Sequence, residues 1–286
     1  RLQNIITGEE LIIEAEQVIN ATGAWAGVVA DLAGATIDIL YSKGSLIVTH
    51  NRITERVVNR LRPSASADIL VPGGTVSILG TTSIRIDDLD QIYPTVEEVD
   101  TMVGEAVKMI PDLETARYIR AYAGVRPLVG SRSASDDRDV SRSFALIDHS
   151  EEGLENFTTI SGGKLTTYRL MAEKTADLVC GRLKVSTPCL TRTQPLALSQ
   201  PAKWTQPGLA PKLWLKHHEP EDILLCECEM VPKSAVDAII ESIRDQNGQP
   251  DLNAIALRSR IGKGACQGTF CGVRVTSYLY EQGVLE

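Results

Sequence analysis

Short apolar runs alternate with glycine-marked turns along most of the chain, and the period of each run assigns an element. Residues 2–7 and 11–14 read as the arms of a β-hairpin joined by Gly8-Glu9-Glu10. Val18-Ile19-Asn20 has the pattern of a short buried strand, Ala21-Thr22-Gly23 that of a tight strand-to-helix turn, and residues 24–33 that of a helix ended by Gly34. Together they make half of a βαβ unit. Strands are predicted over 45–49, 69–71 and 75–80, with Pro72-Gly73-Gly74 as a hairpin loop, so the middle of the chain is a mixed or antiparallel sheet. Thr95-Val96-Glu97-Glu98 is a capping-box pattern opening an amphipathic helix that runs to about Ile110, before Pro111. Strands follow over 117–125, 144–148 and 157–160. The last passes through Ser161-Gly162-Gly163 into a helix from Lys164 to Gly181.

From Ser186 the pattern breaks. Prolines at 188, 195, 201, 207, 211 and 220 interrupt any regular structure and predict a linker over 186–221. Beyond it, helical patterns at 232–245 and 251–260, a glycine-rich loop at 262–268 and a last helix from 272 predict a small all-helical module. The chain therefore divides into residues 1–185, the linker 186–221 and residues 222–286.

Composition narrows the function. Apolar residues make up 43% of the chain before its 22 glycines are added, the usage of an ordinary globular protein. The formal net charge of −8 supplies no basic field for nucleic acid, which is not an expected partner. Leu46-Ile47-Val48 and the other apolar runs are far shorter than a bilayer-spanning helix requires. No secretory signal pattern is present, and the opening on Arg1 in mid-hairpin reads as part of a longer protein.

Six cysteines in an acidic chain without an export signal are expected to be reduced or metal-bound. Cys226-Glu227-Cys228 and the pair Cys266 and Cys271 can each present two sulfurs from one loop, whereas Cys180 and Cys189 stand alone. Four thiolates suit an iron–sulfur cluster or a structural zinc. The one-residue gap in the first pair is less typical of zinc sites and favours the cluster. Gly262, Gly264, Gly268 and Gly272 would let backbone N–H groups approach sulfur, and Arg258, Arg260 and Lys263 could balance thiolate charge.

The second strand–glycine–helix turn bears on cofactor chemistry, since a helix N-terminus presents unpaired N–H groups to a negative atom. The run from Gly162-Gly163-Lys164-Leu165-Thr166 to Ala172 resembles the second signature of the FAD-dependent glycerol-3-phosphate dehydrogenases. Residues 18–26, 43–50, 67–87, 120–129 and 141–149 resemble the same family in register, so the likeness runs from about residue 5 to residue 282. The C-terminal module resembles the [2Fe-2S]-binding domain of the bacterioferritin-associated-ferredoxin type, the combination found in the catalytic subunits of the anaerobic branch of that family.

The resemblance implies an α/β fold with a mixed sheet, part of an FAD-dependent oxidoreductase domain, followed by a small all-α [2Fe-2S] domain. It implies oxidation of sn-glycerol 3-phosphate to dihydroxyacetone phosphate. Electrons would leave through the cluster and partner subunits, one of them membrane-attached, towards quinone in anaerobic respiration. The setting implied is the cytoplasm, at the inner membrane through those subunits. Arg126, Arg142 and Lys164 would hold the substrate phosphate, since buried arginine pairs well with a phosphate dianion. Ala21, Thr22, Gly23, Gly162, Gly163, Lys164, Leu165 and Thr166 would contact FAD, and Cys226, Cys228, Cys266 and Cys271 would hold the cluster.

The chain also departs from the family. Leu46 stands where single-subunit relatives often carry a candidate base, and neither His50 nor His149 takes over that role by pattern. No G-x-G-x-x-G turn follows a strand, so the pyrophosphate-binding segment of FAD and roughly the first third of the catalytic domain are expected outside this chain. The alternatives are a non-catalytic electron carrier or metal-stabilised interaction module, and a related flavin amino-acid oxidoreductase.

Overall fold

The computed structural model describes residues 1–4, 8–130, 143–194 and 209–285, without the side chains of 209–211. Strands β1 (Leu2–Gln3) and β2 (Glu10–Leu11) form a hairpin with Leu2 opposite Leu11. Strand β3 (Val18–Asn20) passes through a 3-10 turn at Gly23–Trp25 into α1 (Ala26–Leu32). Then come β4 (Ile39–Thr49), β5 (Val58–Asn59), β6 (Ile69–Gly73), β7 (Val76–Gly80) and β8 (Ile84–Ile86). Helix α2 (Val96–Val107), β9 (Tyr118–Val129), β10 (Phe144–Asp148), β11 (Phe157–Gly162) and α3 (Tyr168–Arg182) follow. The C-terminal part holds α4 (Leu209–His217), β12 (Leu224–Cys226), β13 (Val231–Pro232), α5 (Lys233–Asp245), α6 (Leu252–Leu257) and α7 (Cys271–Glu281).

Contacts divide the chain into two compact units. The first comprises Arg1–Gly44, Ser83–Ile92 and Gly124–Pro195. Its three-stranded sheet has the order β10-β11-β3, with β10 antiparallel and β3 parallel to β11. Helix α1 packs on it through Ala30, which shares a buried cluster with Ala35 and Phe157. The N-terminal part of β4 pairs with β8, Tyr41 opposite Ile86.

The second unit comprises Ser45–Thr82, Tyr93–Ala123 and Leu196–Glu286. Here the end of β4, β7, β6 and β5 pair in antiparallel succession. Helix α2 covers this sheet because its apolar stripe places Met102 and Ala106 among Ile47, Leu70, Leu79 and Leu113, all fully or almost fully buried. Its N-terminus carries the expected capping box: Glu98 N–H donates to Thr95 Oγ1 at 3.3 Å, and Thr95 N–H donates to Glu98 Oε2 at 2.8 Å. The C-terminal module has its own core, in which Val236, Ile239, Ile240 and Ile243 of α5 meet Ile255, Val275 and Leu279. Burying each of those α5 side chains contributes about 1.5–3 kcal/mol.

The structure departs from the sequence pattern in several places: Val18 and Ile19, predicted as buried, are exposed because β3 is a sheet edge, and Pro72 and Gly73, predicted as loop, pair with Ser77 and Val76 as the end of β6. Strand β4 begins at Ile39 rather than residue 45, because Lys43 is buried in the sheet and Gly44 gives room to the Arg126 guanidinium. Helix α3 starts at Tyr168, one turn later than the pattern indicates. Lys164 is extended, and Leu165–Thr167 form a 3-10 turn. The C-terminal module is not all-helical: β12 and β13 pair antiparallel, folding the chain back across the Cys226–Cys228 turn. Within the expected linker, α4 is regular despite Pro211, which lies in its first turn, where a missing N–H breaks no helical hydrogen bond. The remainder of the hairpin arm at 5–7 and linker residues 195–208 lie outside the described residues.

Candidate functional site

Parallel pairing of β3 with β11 sets the two glycine turns side by side, since Asn20 stands opposite Thr159 and both strands end at the same edge. The carboxyl ends of adjacent parallel strands are where α/β folds bind ligands. The first turn is held from beneath by Asn20, a polar residue only 1% exposed. Its Nδ2 donates to Ala26 O at 2.8 Å and to Thr159 Oγ1 at 3.2 Å, and its Oδ1 accepts from Thr22 Oγ1 at 2.7 Å. His149, fully buried, continues the network: one ring nitrogen lies 3.0 Å from Thr159 Oγ1 and the other 2.8 Å from Glu152 Oε1. Gly23 takes the left-handed φ of +63° that closes the turn, leaving Ala21 and Thr22 exposed.

The second turn needs both of its glycines. Gly162 and Gly163 have φ of +79° and +75°. A Cβ on Gly162 would stand 2.9 Å from Ser143 O, and one on Gly163 would stand 2.5 Å from Met171 Sδ. The N–H groups expected to face a cofactor are displaced by one step. Gly163 N–H donates to Ser143 O and Lys164 N–H to Thr167 Oγ1, whereas Leu165 and Thr166 N–H have no acceptor among the described residues. Lys164, Leu165 and Thr166 are exposed beside them, Leu165 at 87%. An exposed apolar side chain beside open N–H groups and a glycine backbone that tolerates close approach fits a planar, partly anionic cofactor such as FAD.

Of the three expected phosphate-binding cations, Arg126 lies on Gly44, where a Cβ would fall within 2.7 Å of all three terminal guanidinium atoms. Lys164 is exposed after the second turn, and Arg142 lies outside the described residues. Lys43, buried at 6% exposure in β4, is a further cation of this unit that the sequence pattern did not single out. Asn20 was also missed, and its only sequence signal is an amide closing an otherwise apolar strand.

The four paired cysteines gather in the C-terminal module, while Cys180, Cys189 and the His217-His218 pair do not join them. Cys228 Sγ lies 3.8 Å from Cys226 Sγ and 3.7 Å from Cys266 Sγ. Two sulfurs bound to one metal at about 2.3 Å in a tetrahedron stand about 3.8 Å apart. Among the described residues no set of three or more His, Cys, Asp or Glu donors converges on one metal-ion position.

Proton sharing within the group shifts its thiols in opposite directions. The buried Cys226 thiol is pushed far up by donating to Cys228 and Cys271. Accepting from Cys226 lowers Cys228 to about 5 and Cys271 to about 6. Backbone N–H groups of Glu229, Cys266 and Gly262 also reach Cys226, Cys228 and Cys271 respectively. Such hydrogen bonds stabilise thiolate and tune a bound cluster. Close approach of the loops depends on Gly264, where a Cβ would lie 2.6 Å from Cys228 Sγ.

The surrounding cations do not balance the thiolates uniformly. Lys263 Nζ caps the end of α6 by donating to Ala256 O and Ser259 O, each at 2.7 Å. Burial, then Arg260, lowers the Lys263 pKa. Arg260 pairs with buried Glu229 at 3.2 Å and donates to Gly73 O at 3.2 Å. Thr75 Oγ1 donates to the same carboxylate at 3.2 Å, tying the cysteine loop to the β6–β7 hairpin.

A family profile described as FAD dependent oxidoreductase matches residues 2–178. The chain is 40% identical over 300 residues to the A subunit of the anaerobic glycerol-3-phosphate dehydrogenase of Escherichia coli (strain K12), covering 98% of this chain and 55% of that protein. It is 35% identical over 294 residues to the A1 subunit of the anaerobic glycerol-3-phosphate dehydrogenase of Haloferax volcanii, covering 95% of this chain and 49% of the relative. The chain thus spans about half the length of these curated relatives. In fold it is similar to the crystal structure of the glycerol-3-phosphate dehydrogenase from Bacillus halodurans complexed with FAD. The TM-score there is 0.54 at 21% identity, over 93% of this chain and 46% of that one. No helix among the described residues is long and apolar enough to cross a membrane.

Proposed function

The chain belongs to the FAD-dependent oxidoreductase family, and from that premise we propose that it is part of a glycerol-3-phosphate dehydrogenase, joining one side of the flavin site to an electron-exit centre. In this reading sn-glycerol 3-phosphate loses a hydride from C2 and a proton from the C2 hydroxyl, giving dihydroxyacetone phosphate. The observation that carries the reading is the alignment of the two glycine turns at the ends of β3 and β11, with open N–H groups at Leu165 and Thr166. The names of the 40% and 35% identical relatives support the substrate.

The roles assigned to the chain's own residues follow their chemistry. Ala21, Thr22 and Gly23 on one turn, and Gly162 to Thr166 on the other, would hold FAD, which when bound supplies the hydride acceptor. Arg126 and Lys164, with Arg142 beyond the described residues, would bind the phosphate dianion by charge-assisted hydrogen bonds and lower the energy of a developing alkoxide. Cys226, Cys228, Cys266 and Cys271 would hold a [2Fe-2S] cluster, a one-electron centre feeding partner subunits, including a membrane-attached one, and ultimately quinone. The protein would then work in the cytoplasm at the inner membrane.

Zinc is the second occupant to consider, because the 3.7 and 3.8 Å sulfur separations suit it equally. It would make the module a structural tie. The test is the visible absorption spectrum of the anaerobically purified chain, with iron and zinc counted on the same sample, followed by titration with FAD. Iron–sulfur bands with about two irons per chain are expected. A colourless zinc protein would overturn electron transfer. Failure of the longer protein containing this chain to bind FAD would overturn the flavin site.

A further inference from the structure

Within the second unit, a cavity of about 240 Å³ lies between the β6–β7 sheet and the cysteine module. Its volume is below the 300–1,000 Å³ common for drug-sized ligands. Val48, Val76 and Ile78 make an apolar floor, while Arg120, Arg260 and Lys263 bring three cations to its walls. None of these residues belongs to the candidate flavin or phosphate set of the proposed dehydrogenase.

The three cations keep donors to spare. Arg120 Nη1 donates to Gln267 Oε1 at 3.3 Å and its guanidinium lies 5.7 Å from the Tyr122 ring centroid, so the group is oriented without meeting a carboxylate. Arg260 spends Nε and Nη2 on Glu229 and Gly73 O, leaving Nη1 without a partner among the described residues. Lys263 Nζ uses two of its three protons on backbone carbonyls. Among the described residues Glu229 is the one carboxylate these groups engage, so the described lining stays net positive. Partly buried Arg260 and Lys263 beside exposed Arg120, all with unused N–H donors, call for a compact anion. Three donor heads from two chain segments suit the several oxygens of a phosphate better than a planar carboxylate.

We propose that this cavity is a binding site for a small phosphate monoester dianion, its phosphate held by Arg120, Arg260 and Lys263 and its carbon chain on the Val48–Val76–Ile78 floor. The site does not depend on the dehydrogenase reading. It is tested by calorimetric titration of the chain with inorganic phosphate, sn-glycerol 3-phosphate and uncharged glycerol. Saturable binding of both anions, absent for glycerol, is expected. Arg120→Gln should weaken it about tenfold, whereas Arg126→Gln should remove only binding at the candidate substrate cations and leave the Arg120-dependent component in place, which separates the two sites. Tighter binding of the ester than of inorganic phosphate would identify the ester as the occupant, and equal binding would identify the free anion. Arg120 is an exposed strand residue, so its variant should retain the wild-type melting temperature; Lys263→Gln, which also loses a helix cap, is a second probe. Absence of saturable heat up to about 50 mM phosphate, equal binding by Arg120→Gln, or loss confined to Arg126→Gln would overturn the proposal.

Discussion

Gly264→Ala tests whether the cysteine loops are packed as closely as the structure indicates. A Cβ at this position would stand 2.6 Å from Cys228 Sγ, 2.9 Å from Glu229 Cγ and 3.1 Å from Glu229 Oε1. A relaxed contact between such atoms needs about 3.5–4.0 Å, so Cys228 or the backbone must move by about 1 Å. Neither neighbour can yield easily: Cys228 lies 3.7 and 3.8 Å from two other sulfurs, and Glu229 is pinned by Arg260 and Thr75. Overpacking of this kind costs about 1–3 kcal/mol. In a module of this size that lowers the melting temperature by about 4 °C or more. Gly272→Ala is the matched control, because nothing lies within 4 Å of the added Cβ and alanine favours the helix. Thermal unfolding and metal content per chain should both fall for Gly264→Ala and hold for Gly272→Ala. Equal melting temperatures and equal metal content in the two variants would refute the packing argument.

Three further outcomes are expected. Asn20→Ala removes the amide that joins Ala26 O, Thr159 and Thr22, leaving buried groups unpaired. It should lower stability by about 1–3 kcal/mol, measured by denaturant unfolding. Thr95→Ala removes the α2 cap and should cost about 0.5–2 kcal/mol in the same assay. In the metal-free chain, Cys228 and Cys271 are depressed to about 5 and about 6. Their contribution to stability is full above the ordinary thiol range and falls as pH drops through these values; raised Cys226 contributes in the opposite sense, losing its share as pH rises. Ultraviolet absorbance of thiolate should therefore appear near pH 5–6, and its appearance only around pH 8–9 would contradict the hydrogen-bonded thiol group.

What the sequence made legible was local. Val18-Ile19-Asn20 reads as a strand because two β-branched residues lead into a glycine turn, and Thr95 to Glu98 reads as a helix start because the cap is a contact between residues three apart. The cysteine group was legible by spacing alone. Long-range facts were not: nothing near Asn20 indicates that it will bond Thr159, and nothing near Glu229 indicates that Thr75 will donate to it. The β4 extension escaped the pattern because Lys43-Gly44 looks like a break until Arg126 is seen lying on Gly44. Helix α4 escaped because proline excludes helix interiors but not first turns.

The bond between Asn20 and Thr159 spans 139 residues of chain. At a translation speed of about 5–20 residues per second, β3 waits roughly 7–30 s after synthesis before its partner strand exists. During that interval Val18 and Ile19 are an unpaired apolar edge, and the first glycine turn lacks its Thr159 anchor. Antiparallel β6 and β7, joined across Gly74 and Thr75, can pair almost as soon as they are made. Assembly of the β3–β11 sheet is thus the slow, chaperone-exposed step of biogenesis, so conditions that slow translation or deplete holdase capacity should reduce the yield of folded first unit before they reduce the yield of chain.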